Sequence, residues 1–285
     1  MFNRIKIFLL LTPALLIIIL LFFGGLFFGL MRSLNYMPVI GLTDPNFNAF
    51  ISVFKSKEFY DSLFLSFYIS FTSTIISTIF AIGAALLLRR NFVGKSLVNF
   101  LFQINLTVPH LIGAIGILYL FSQSGSFARL AFQWGVITKT SEFPEMVYDP
   151  YAIGIILQYV WKEIPFIGVI VLANINSLIE DYENVARSLG ANKWQTFRYV
   201  LLPFILPSVL LASVIVFAFT FGAYEIPVML GANYPSALSV LAYRKYTDVD
   251  LASMPEAMAI CIIIAVLSCL VIFFYLKFAR KKIRE

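Results

Sequence analysis

Residues 180–207 read EDYENVARSLGANKWQTFRYVLLPFILP and form a long polar interruption in a very apolar chain. Ser177 is followed three residues later by an acidic side chain, which is the spacing of a capping box at a helix N-terminus. Gly190 fits the left-handed position that ends a helix, and Asn192 can cap a second helix. Pro203 then shapes the entry into an apolar run. The stretch therefore predicts two short helices that meet at Gly190 and lead into an apolar segment.

The composition of the chain is that of an integral membrane protein. Of its 285 residues, 60% are hydrophobic and 13% are charged, whereas soluble domains carry about 25% charged residues. The formal net charge of +6 would suggest nucleic acid as the partner of a soluble protein, but no nucleic-acid partner is expected of a chain this apolar. Cys261 and Cys269 lie in one apolar run and predict neither a disulfide framework nor a metal site.

Six apolar runs reach the length of about 20 residues that crosses a bilayer as a helix. None of them alternates strictly between apolar and polar residues, so helices are favoured over barrel strands. The first run is too long for a signal peptide and lacks a small-residue cleavage site, so we expect it to be retained. The sequence predicts an all-α membrane protein with one transmembrane domain over residues 1–285. Its six predicted spans are residues 7–31, 62–88, 96–121, 150–179, 199–224 and 257–276.

The basic residues predict how these spans are oriented. Thirteen of the 21 Lys and Arg residues lie on the side that holds both termini, seven lie on the other side, and Lys162 lies within a span. Because basic loops stay in the cytoplasm, both termini and residues 180–198 should be cytoplasmic in a bacterial-type inner (plasma) membrane. The three long loops on the other side contain aromatic residues that form either an interfacial belt or a docking surface. These outer loops are residues 32–61, 122–149 and 225–256.

Two charged residues, Lys162 and Glu163, lie within the fourth predicted span. A charged side chain in lipid costs about 3 kcal/mol on insertion scales, so both should face protein or water. Neighbouring residues on a helix point in different directions, so these two cannot form a good pair with each other. Each is expected to have a partner elsewhere, either in a structural ion pair or in the lining of a solute pathway.

Polar and aromatic residues also gather where the fifth predicted span ends, in FGAYEIPVMLG at residues 221–231. Glycine and proline around Glu225 predict a broken helix, and a broken helix beside a carboxylate can expose polar backbone to a solute. Phe221 and Tyr224 precede it closely. The alternative is an ordinary helix end with Glu225 in water. His110, which follows a proline in the third span, either bonds between helices at a kink or contacts a solute.

Motifs for nucleotide binding and catalysis are missing from the sequence. Gly94, Lys95 and Ser96 end like a Walker A loop, but the position of the required earlier glycine is Arg89. The patterns HExxH, GxSxG, CxxC and GxGxxG do not occur. The sequence therefore predicts no catalytic residues, no metal ligands and no cofactor bound by this chain, and a function other than that of an enzyme.

The 180–207 stretch resembles the EAA loop of ATP-binding cassette (ABC) importer permeases. The pattern of that loop is EAA, three residues, glycine, nine residues and then I-x-L-P. Here Gly190 is followed by nine residues and then by VLLP at residues 200–203. Glu183 matches an acidic residue that often precedes the motif. Ala186 matches its second alanine, and the two residues before Ala186 depart from it.

This resemblance covers the loop and the six-span layout over roughly residues 60–280. It implies a MetI-like permease domain whose 180–198 loop docks in a groove of a separate ABC ATPase. An apolar stripe at helical spacing in that loop would fill the groove. The residues expected to couple the chain to the ATPase are Tyr182, Glu183, Val185, Ala186, Leu189, Gly190, Phe197 and Pro203.

The same resemblance implies the partners of the chain. A dimer of cytoplasmic ATPases would bind ATP and magnesium, and a second permease subunit would complete the pathway. We expect that second permease to be a different chain, since permeases of the polyamine-like group commonly form heterodimers. A solute-binding protein outside the cytoplasm would deliver the solute. The function implied is ATP-driven import through a pathway of which this chain forms half.

Residues 221–231 and the segment LSVLAYRKYTDVDL at residues 238–251 resemble permeases for polyamines, ferric iron and thiamine. A polyamine such as spermidine or putrescine would need carboxylates and aromatic faces around its ammonium groups, which Glu163, Glu225 and their aromatic neighbours would offer. Lys162 would instead suit an anion. The alternatives are another small solute (ferric iron, thiamine, phosphonate or another organic anion) and an ATP-independent channel or secondary carrier.

Overall fold

The computed structural model describes the backbone of residues 2–175 and 177–284, with side chains for residues 6–175, 179 and 181–277. The described residues form helices joined by turns and loops, as the sequence predicts for an all-α protein. Six described helical stretches are long and apolar enough to cross a membrane. They are Lys6–Ser33, Lys57–Leu88, His110–Gln133, Ile153–Asn174, Lys193–Gly222 and Leu251–Lys277.

Fourteen α-helices occur in the described part of the chain. In the first half they are α1 (Phe2–Ile17), α2 (Gly24–Ser33), α3 (Asn48–Lys55), α4 (Lys57–Leu88), α5 (Lys95–Thr107), α6 (His110–Phe121) and α7 (Ser126–Gln133). In the second half they are α8 (Ile153–Asn174), α9 (Ser177–Ser188), α10 (Lys193–Thr196), α11 (Leu202–Gly222), α12 (Glu225–Leu230), α13 (Leu238–Tyr246) and α14 (Met254–Arg284). The π-helical segments Ile18–Phe23 and Phe197–Leu201 join α1 to α2 and α10 to α11.

The third predicted span, residues 96–121, is divided in the structure into α5 and α6. Pro109 has no backbone N–H, and its ring forces the preceding residue out of the helical conformation. Val108 is accordingly extended, with φ −74° and ψ 122°. The helical stretch of membrane-spanning length begins at His110 instead and runs through α6 and α7. The apolar run predicted as a span over residues 96–121 therefore contains two helices that are separated at Val108 and Pro109.

The fourth predicted span, residues 150–179, is shorter in the structure, where α8 ends at Asn174. Asp149 fixes its beginning, because the carboxylate accepts hydrogen bonds from the backbone N–H groups of Tyr151 at 3.0 Å and Ile153 at 2.9 Å. At the other end, Ile175 is extended and ends the helix. Residues 177–179, predicted to close the span, belong to α9.

The chain divides into two compact units. One contains residues 1–60 and 238–266, and the other contains residues 61–237 and 267–285. The second unit holds the predicted coupling loop and all six residues predicted for the solute pathway. The sequence-based prediction of a single transmembrane domain stays a prediction.

Ion pairs hold the loop segments of the first unit. Arg244 Nη2 lies 2.8 Å from Glu58 Oε1, and Lys245 Nζ lies 2.5 Å from Glu256 Oε2. Ser52 donates a hydrogen bond to the same Glu256 carboxylate. These contacts join two of the predicted outer loops to each other.

Two apolar clusters form the core of the second unit, and α8 contributes to both. The first cluster joins α8 to α4 and α11, and the second joins it to α4, α6 and α12. Gly113 allows α6 to lie close to α8, since a Cβ at this position would lie 2.9 Å from the Trp161 ring. Fully buried members are Ala81, Ala85, Ile167, Val171 and Ile205 in the first cluster and Ala114, Tyr159 and Leu230 in the second. The core therefore places the two charges of α8 between its two apolar clusters.

Candidate functional site

The 180–198 loop folds into two short helices, α9 and α10, that meet at Gly190. Gly190 has a φ of 89°, a conformation that L side chains rarely adopt, although a Cβ there would meet no atom within 4 Å. The amides of Gly190 and Ala191 donate back to carbonyls in the last turn of α9. Asn192 and Gln195 form a capping box at the start of α10. The predicted arrangement of two short helices that meet at Gly190 is confirmed.

One side of α9 exposes apolar side chains. Val185 and Leu189 expose 58% and 84% of their surface. Tyr182 exposes 51% of its surface and stacks on Phe204 with ring centroids 5.5 Å apart. We call Tyr182, Val185, Ala186 and Leu189 the coupling face. A cluster of exposed apolar residues outside the membrane-spanning helices is typical of a surface that binds another protein.

Two further predicted coupling residues lie where the loop enters α11. The ring of Phe197 lies 5.7 Å from that of the exposed Trp194. Pro203 is the second residue of α11 and directly follows the π-helical segment Phe197–Leu201. The capping contact predicted for Ser177 and Glu180 lies outside the described side chains.

Glu183 is buried, unlike the coupling face on the same helix. Its two carboxylate oxygens accept hydrogen bonds from Arg89 Nη2 at 2.9 and 2.8 Å, and 5% of its side chain is exposed. Ile179 of α9 and Leu201 belong to the first apolar cluster. The loop is thus joined to α4 by an ion pair and to α8 and α11 by apolar packing. Sequence reasoning missed this pair, although Arg89 ends the second predicted span on the same side as the loop.

Lys162 of α8 binds the carbonyl end of α5. Its Nζ donates hydrogen bonds to the backbone oxygens of Asn105 and Val108. In return, Asn105 Nδ2 donates to the backbone oxygen of Trp161 at 2.6 Å. Pro109 has no N–H and cannot donate to the Asn105 carbonyl, which accepts a hydrogen bond from the Val108 N–H at 3.2 Å as well as from Lys162. A cation at a helix C-terminus interacts favourably with such carbonyls. Lys162 therefore has a structural partner, and the partner is backbone rather than a carboxylate.

Glu163 faces a different neighbour from Lys162. Its Oε1 lies 3.2 Å from His110 Nε2, and 7% of its side chain is exposed. The His110 ring lies against Phe219 with centroids 4.8 Å apart, and its carbonyl accepts a hydrogen bond from Gln158 at 3.1 Å. The sequence singled out both members of the His110–Glu163 pair without pairing them. Their contact depends on the helix break that brings the start of α6 beside α8.

A cavity of about 630 Å³ lies where the break between α5 and α6 faces the break between α11 and α12. Ala223 is extended and ends α11, so the chain turns before α12 begins at Glu225. The residues that line the cavity are Pro109, His110, Leu111, Phe219, Ala223, Tyr224, Glu225 and Ile226. Three of the six predicted pathway residues, His110, Tyr224 and Glu225, thus come together. Glu163 lies behind His110, and Lys162 is absent from the lining.

The aromatic wall of the cavity is Phe219 rather than the predicted Phe221. Phe221 exposes 1% of its surface and packs against Phe67, with ring centroids 4.7 Å apart. Residues two apart on a helix point to opposite sides, so only one of these two phenylalanines can face the cavity. The sequence-based prediction named only Phe221, and only the rotation of α11 within the fold distinguishes the two phenylalanines.

Residues 77–285 match the protein family described as "Binding-protein-dependent transport system inner membrane component". The chain belongs to this family. The matched part of the permease includes both the coupling face and the cavity. The permease is 28% identical over 192 residues to the "Probable sulfate transport system permease protein cysT" of Marchantia polymorpha, covering 66% of this chain and 63% of that protein.

Two other relatives are named for different solutes. The permease is 25% identical over 280 residues to the "Trehalose/maltose transport system permease protein MalF" of Thermococcus litoralis, covering 95% of this chain and 91% of that protein. It is 26% identical over 192 residues to the "Thiamine transport system permease protein ThiP" of Escherichia coli, covering 67% of this chain and 34% of that protein. The permease therefore spans less than two thirds of the length of its sulfate and thiamine relatives.

Solved structures share the fold of the permease over nearly its whole length. A chain from a bacterial ABC transporter involved in the import of the acidic polysaccharide alginate aligns with a TM-score of 0.79 at 20% identity, covering 98% of each chain. A chain from the alginate transporter in complex with an alginate pentasaccharide-bound periplasmic protein aligns with a TM-score of 0.81 at 19% identity, covering 99% of this chain and 96% of that one. The predicted fold of an ABC importer permease is confirmed.

Proposed function

We propose that this permease forms half of the solute pathway of an ATP-driven, binding-protein-dependent importer. The coupling face is the observation that carries the proposal, because it presents apolar side chains on a short helix outside the membrane-spanning segments. The Arg89–Glu183 pair and the first apolar cluster tie that helix to α4, α8 and α11. A partner that moves α9 would therefore move these helices as well. Membership of the transport family supports the same role.

The proposed assembly contains at least three other kinds of subunit. Two cytoplasmic ATPases would bind ATP and magnesium and dock on the coupling faces. A second permease, which we propose to be a different chain, would complete the pathway. A solute-binding protein would deliver solute to the outer loops. In this arrangement the chain lies in a bacterial-type inner membrane with both termini in the cytoplasm.

A charge placed on the coupling face tests this proposal. Leu189→Asp should abolish ATPase binding and solute uptake, because a carboxylate would lose its hydration in an apolar contact. The chain should stay folded, since Leu189 is 84% exposed. The measurements are co-purification of the ATPase and uptake by proteoliposomes that contain the whole complex.

The matched control is Val93→Asp, which adds the same charge at a fully exposed position between α4 and α5. Val93→Asp should bind the ATPase and transport like the unchanged protein. Normal ATPase binding and uptake by Leu189→Asp would overturn the coupling role. Uptake by this chain alone, without ATP or a partner, would favour a channel or secondary carrier instead.

For the solute we propose a cation, with polyamines such as spermidine or putrescine as the leading candidates. The charged side chains at the cavity are Glu225 in its lining and Glu163 behind His110. Phe219 and Tyr224 add aromatic faces that attract ammonium groups. Lys162, which would have favoured an anion, is engaged by backbone carbonyls of α5. The relatives are named for sulfate, sugars and thiamine, so the support for a cation comes from the cavity.

Removal of one cavity charge tests the choice of a cation. Glu225→Gln should raise the KM for spermidine uptake about tenfold, as expected for the loss of one charge-assisted hydrogen bond. Glu145→Gln removes an equal charge from an exposed position of a predicted outer loop and should leave the KM unchanged. Mass spectrometry of the solute retained by the purified complex identifies the cargo directly. Retention of a sugar, or of sulfate or another anion, would rule out the polyamine.

A further inference from the structure

Two neighbouring cavities lie at the end of α4, and neither takes part in the proposed pathway. One is an apolar groove of about 490 Å³. The other is a basic pocket of about 390 Å³. The apolar groove is lined mainly by Ala84, Leu87, Leu88, Phe92, Val98 and Phe102, with Arg90 and Asn91 also in its lining. The basic pocket is lined by Arg89, Arg90, Glu183, Asn184, Arg187 and Lys193. Arg90 therefore belongs to both cavities.

The basic pocket holds more positive charge than its own carboxylate balances. Glu183 is paired with Arg89. Among the described residues, no ion pair involves Arg90, Arg187 or Lys193. The Nη1 atom of Arg89 is buried and finds no hydrogen-bond acceptor in the described part of the chain. Several donors around one small pocket suit a ligand with several anionic oxygens, of which phosphate is the commonest.

The apolar groove adds a second requirement for the ligand. Leu87, Phe92 and Val98 expose 64%, 42% and 42% of their surface along this groove. A free inorganic anion would fill the basic pocket and leave the groove unused. A ligand that joins a phosphate to a hydrocarbon chain would occupy both cavities, with Arg90 at the junction. Basic residues at the cytoplasmic membrane surface are known to attract anionic lipids.

We propose that an anionic phospholipid binds here, with its phosphate in the basic pocket and one acyl chain in the apolar groove. The assignment to the cytoplasmic leaflet rests on the proposed function, because that function orients the chain. The site itself depends only on the adjacency of the two cavities and on their charge. Phosphatidylglycerol has the required chemistry and is the probe used below.

Lipid binding would act on the coupling helix. The Arg89–Glu183 pair forms part of the wall of the basic pocket, and Arg187 lies on α9. The phosphate would reduce the mutual repulsion of four cations that α4, α9 and α10 bring together. It would thereby hold α9 against the end of α4. We therefore expect an anionic lipid to strengthen the connection between the coupling face and the membrane-spanning helices.

The test measures lipid bound by the delipidated full-length chain in detergent. Native mass spectrometry during titration with phosphatidylglycerol should show one tightly retained lipid, and phosphatidylcholine should bind at least tenfold more weakly. Arg90→Gln should weaken phosphatidylglycerol binding about tenfold. Val98→Trp should weaken it by blocking the apolar groove without changing any charge. Lys139→Gln, which removes a positive charge from an exposed outer-loop position, is the control and should bind normally.

Each outcome bears on the proposal separately from the transport function. Equal phosphatidylglycerol binding by Arg90→Gln, Val98→Trp and the unchanged protein would overturn it. Displacement by millimolar inorganic phosphate, together with normal binding by Val98→Trp, would identify a free-anion site and would also overturn it. A delipidated chain that retains no phosphatidylglycerol would overturn it as well. The assay needs neither ATPase nor solute, so a failure of the importer proposal would leave its result intact.

Discussion

Lys162 carries its charge in the middle of α8, and its ammonium group lies against the carbonyl end of α5. The residue type alone suggested an ion pair or a pathway contact. The structure provides a third solution, in which a lysine donates hydrogen bonds to backbone carbonyls at the helix break before Pro109. The same break lets Glu163 contact His110, so two adjacent charges on one helix serve different neighbours.

Replacement of Lys162 should therefore reduce stability rather than change solute choice. Lys162→Met would remove the ammonium donor from the Asn105 and Val108 carbonyls in an apolar region, at a cost of about 1–3 kcal/mol. We expect a lower apparent melting temperature of the detergent-solubilised chain. Lys57→Met, at an exposed position of the first turn of α4, should leave the melting temperature unchanged. A Lys162→Met protein with normal stability and altered solute selectivity would place Lys162 in the pathway.

At the scale of elements, α9 combines an exposed apolar face with a buried attachment. The Arg89–Glu183 pair is largely shielded from water, with side-chain exposures of 19% and 5%. The Arg244–Glu58 pair in the other unit is more exposed, at 44% and 37%. Water screens an exposed ion pair, which therefore contributes little to stability. When one partner of a shielded pair is removed, the other is left poorly solvated, and the loss of stability is larger.

This contrast predicts unequal effects of the same substitution at the two pairs. Glu183→Gln should destabilise the attachment of α9 by about 1.5–3 kcal/mol, the range for hydrogen bonds to charged groups. Glu58→Gln should cost about 1 kcal/mol or less. The measurement is chemical unfolding of both variants, with hydrogen exchange to follow the α9 amides. Equal losses of stability, with unchanged exchange in α9, would show that the pair does not hold the helix.

At the scale of the whole molecule, the unequal distribution of basic residues between the two sides of the membrane supports the proposed orientation. Thirteen basic residues on the side of the termini against seven on the other side favour cytoplasmic termini. The same orientation puts the coupling face where an ATPase can reach it. It also puts the basic pocket in the leaflet whose surface carries anionic lipid. Both proposals therefore share one topological premise that can be measured directly.

Cysteine labelling tests this orientation. In a chain whose Cys261 and Cys269 are replaced by alanine, Lys139→Cys should react with an impermeant maleimide in intact cells. Val93→Cys should react only after the cells are opened, because the loop between α4 and α5 is proposed to be cytoplasmic. Both positions are exposed, so differences in accessibility within the fold do not explain a difference in labelling. Labelling of Val93→Cys but not Lys139→Cys in intact cells would reverse the proposed topology.

The sequence by itself determined the features that depend on composition and local spacing. The apolar runs specify membrane-length helices. The hydropathy of the third run does not show that Pro109 divides it into two helices. Gly190 and the capping pattern at Asn192 specify two short helices within a single stretch of chain. Such signals can be read without knowing which helices are neighbours, because the residues that interact are close in sequence.

Only the tertiary structure decided how the charged and aromatic residues are used. Lys162 meets the Asn105 carbonyl across 57 positions of sequence, Glu163 meets His110 across 53, and Glu183 meets Arg89 across 94. The rotation of α11 placed Phe219 rather than Phe221 in the cavity. These contacts follow from how helices pack around α8, and packing depends on the shapes of side chains distant in sequence. The sequence could therefore name the charges but could not assign their partners.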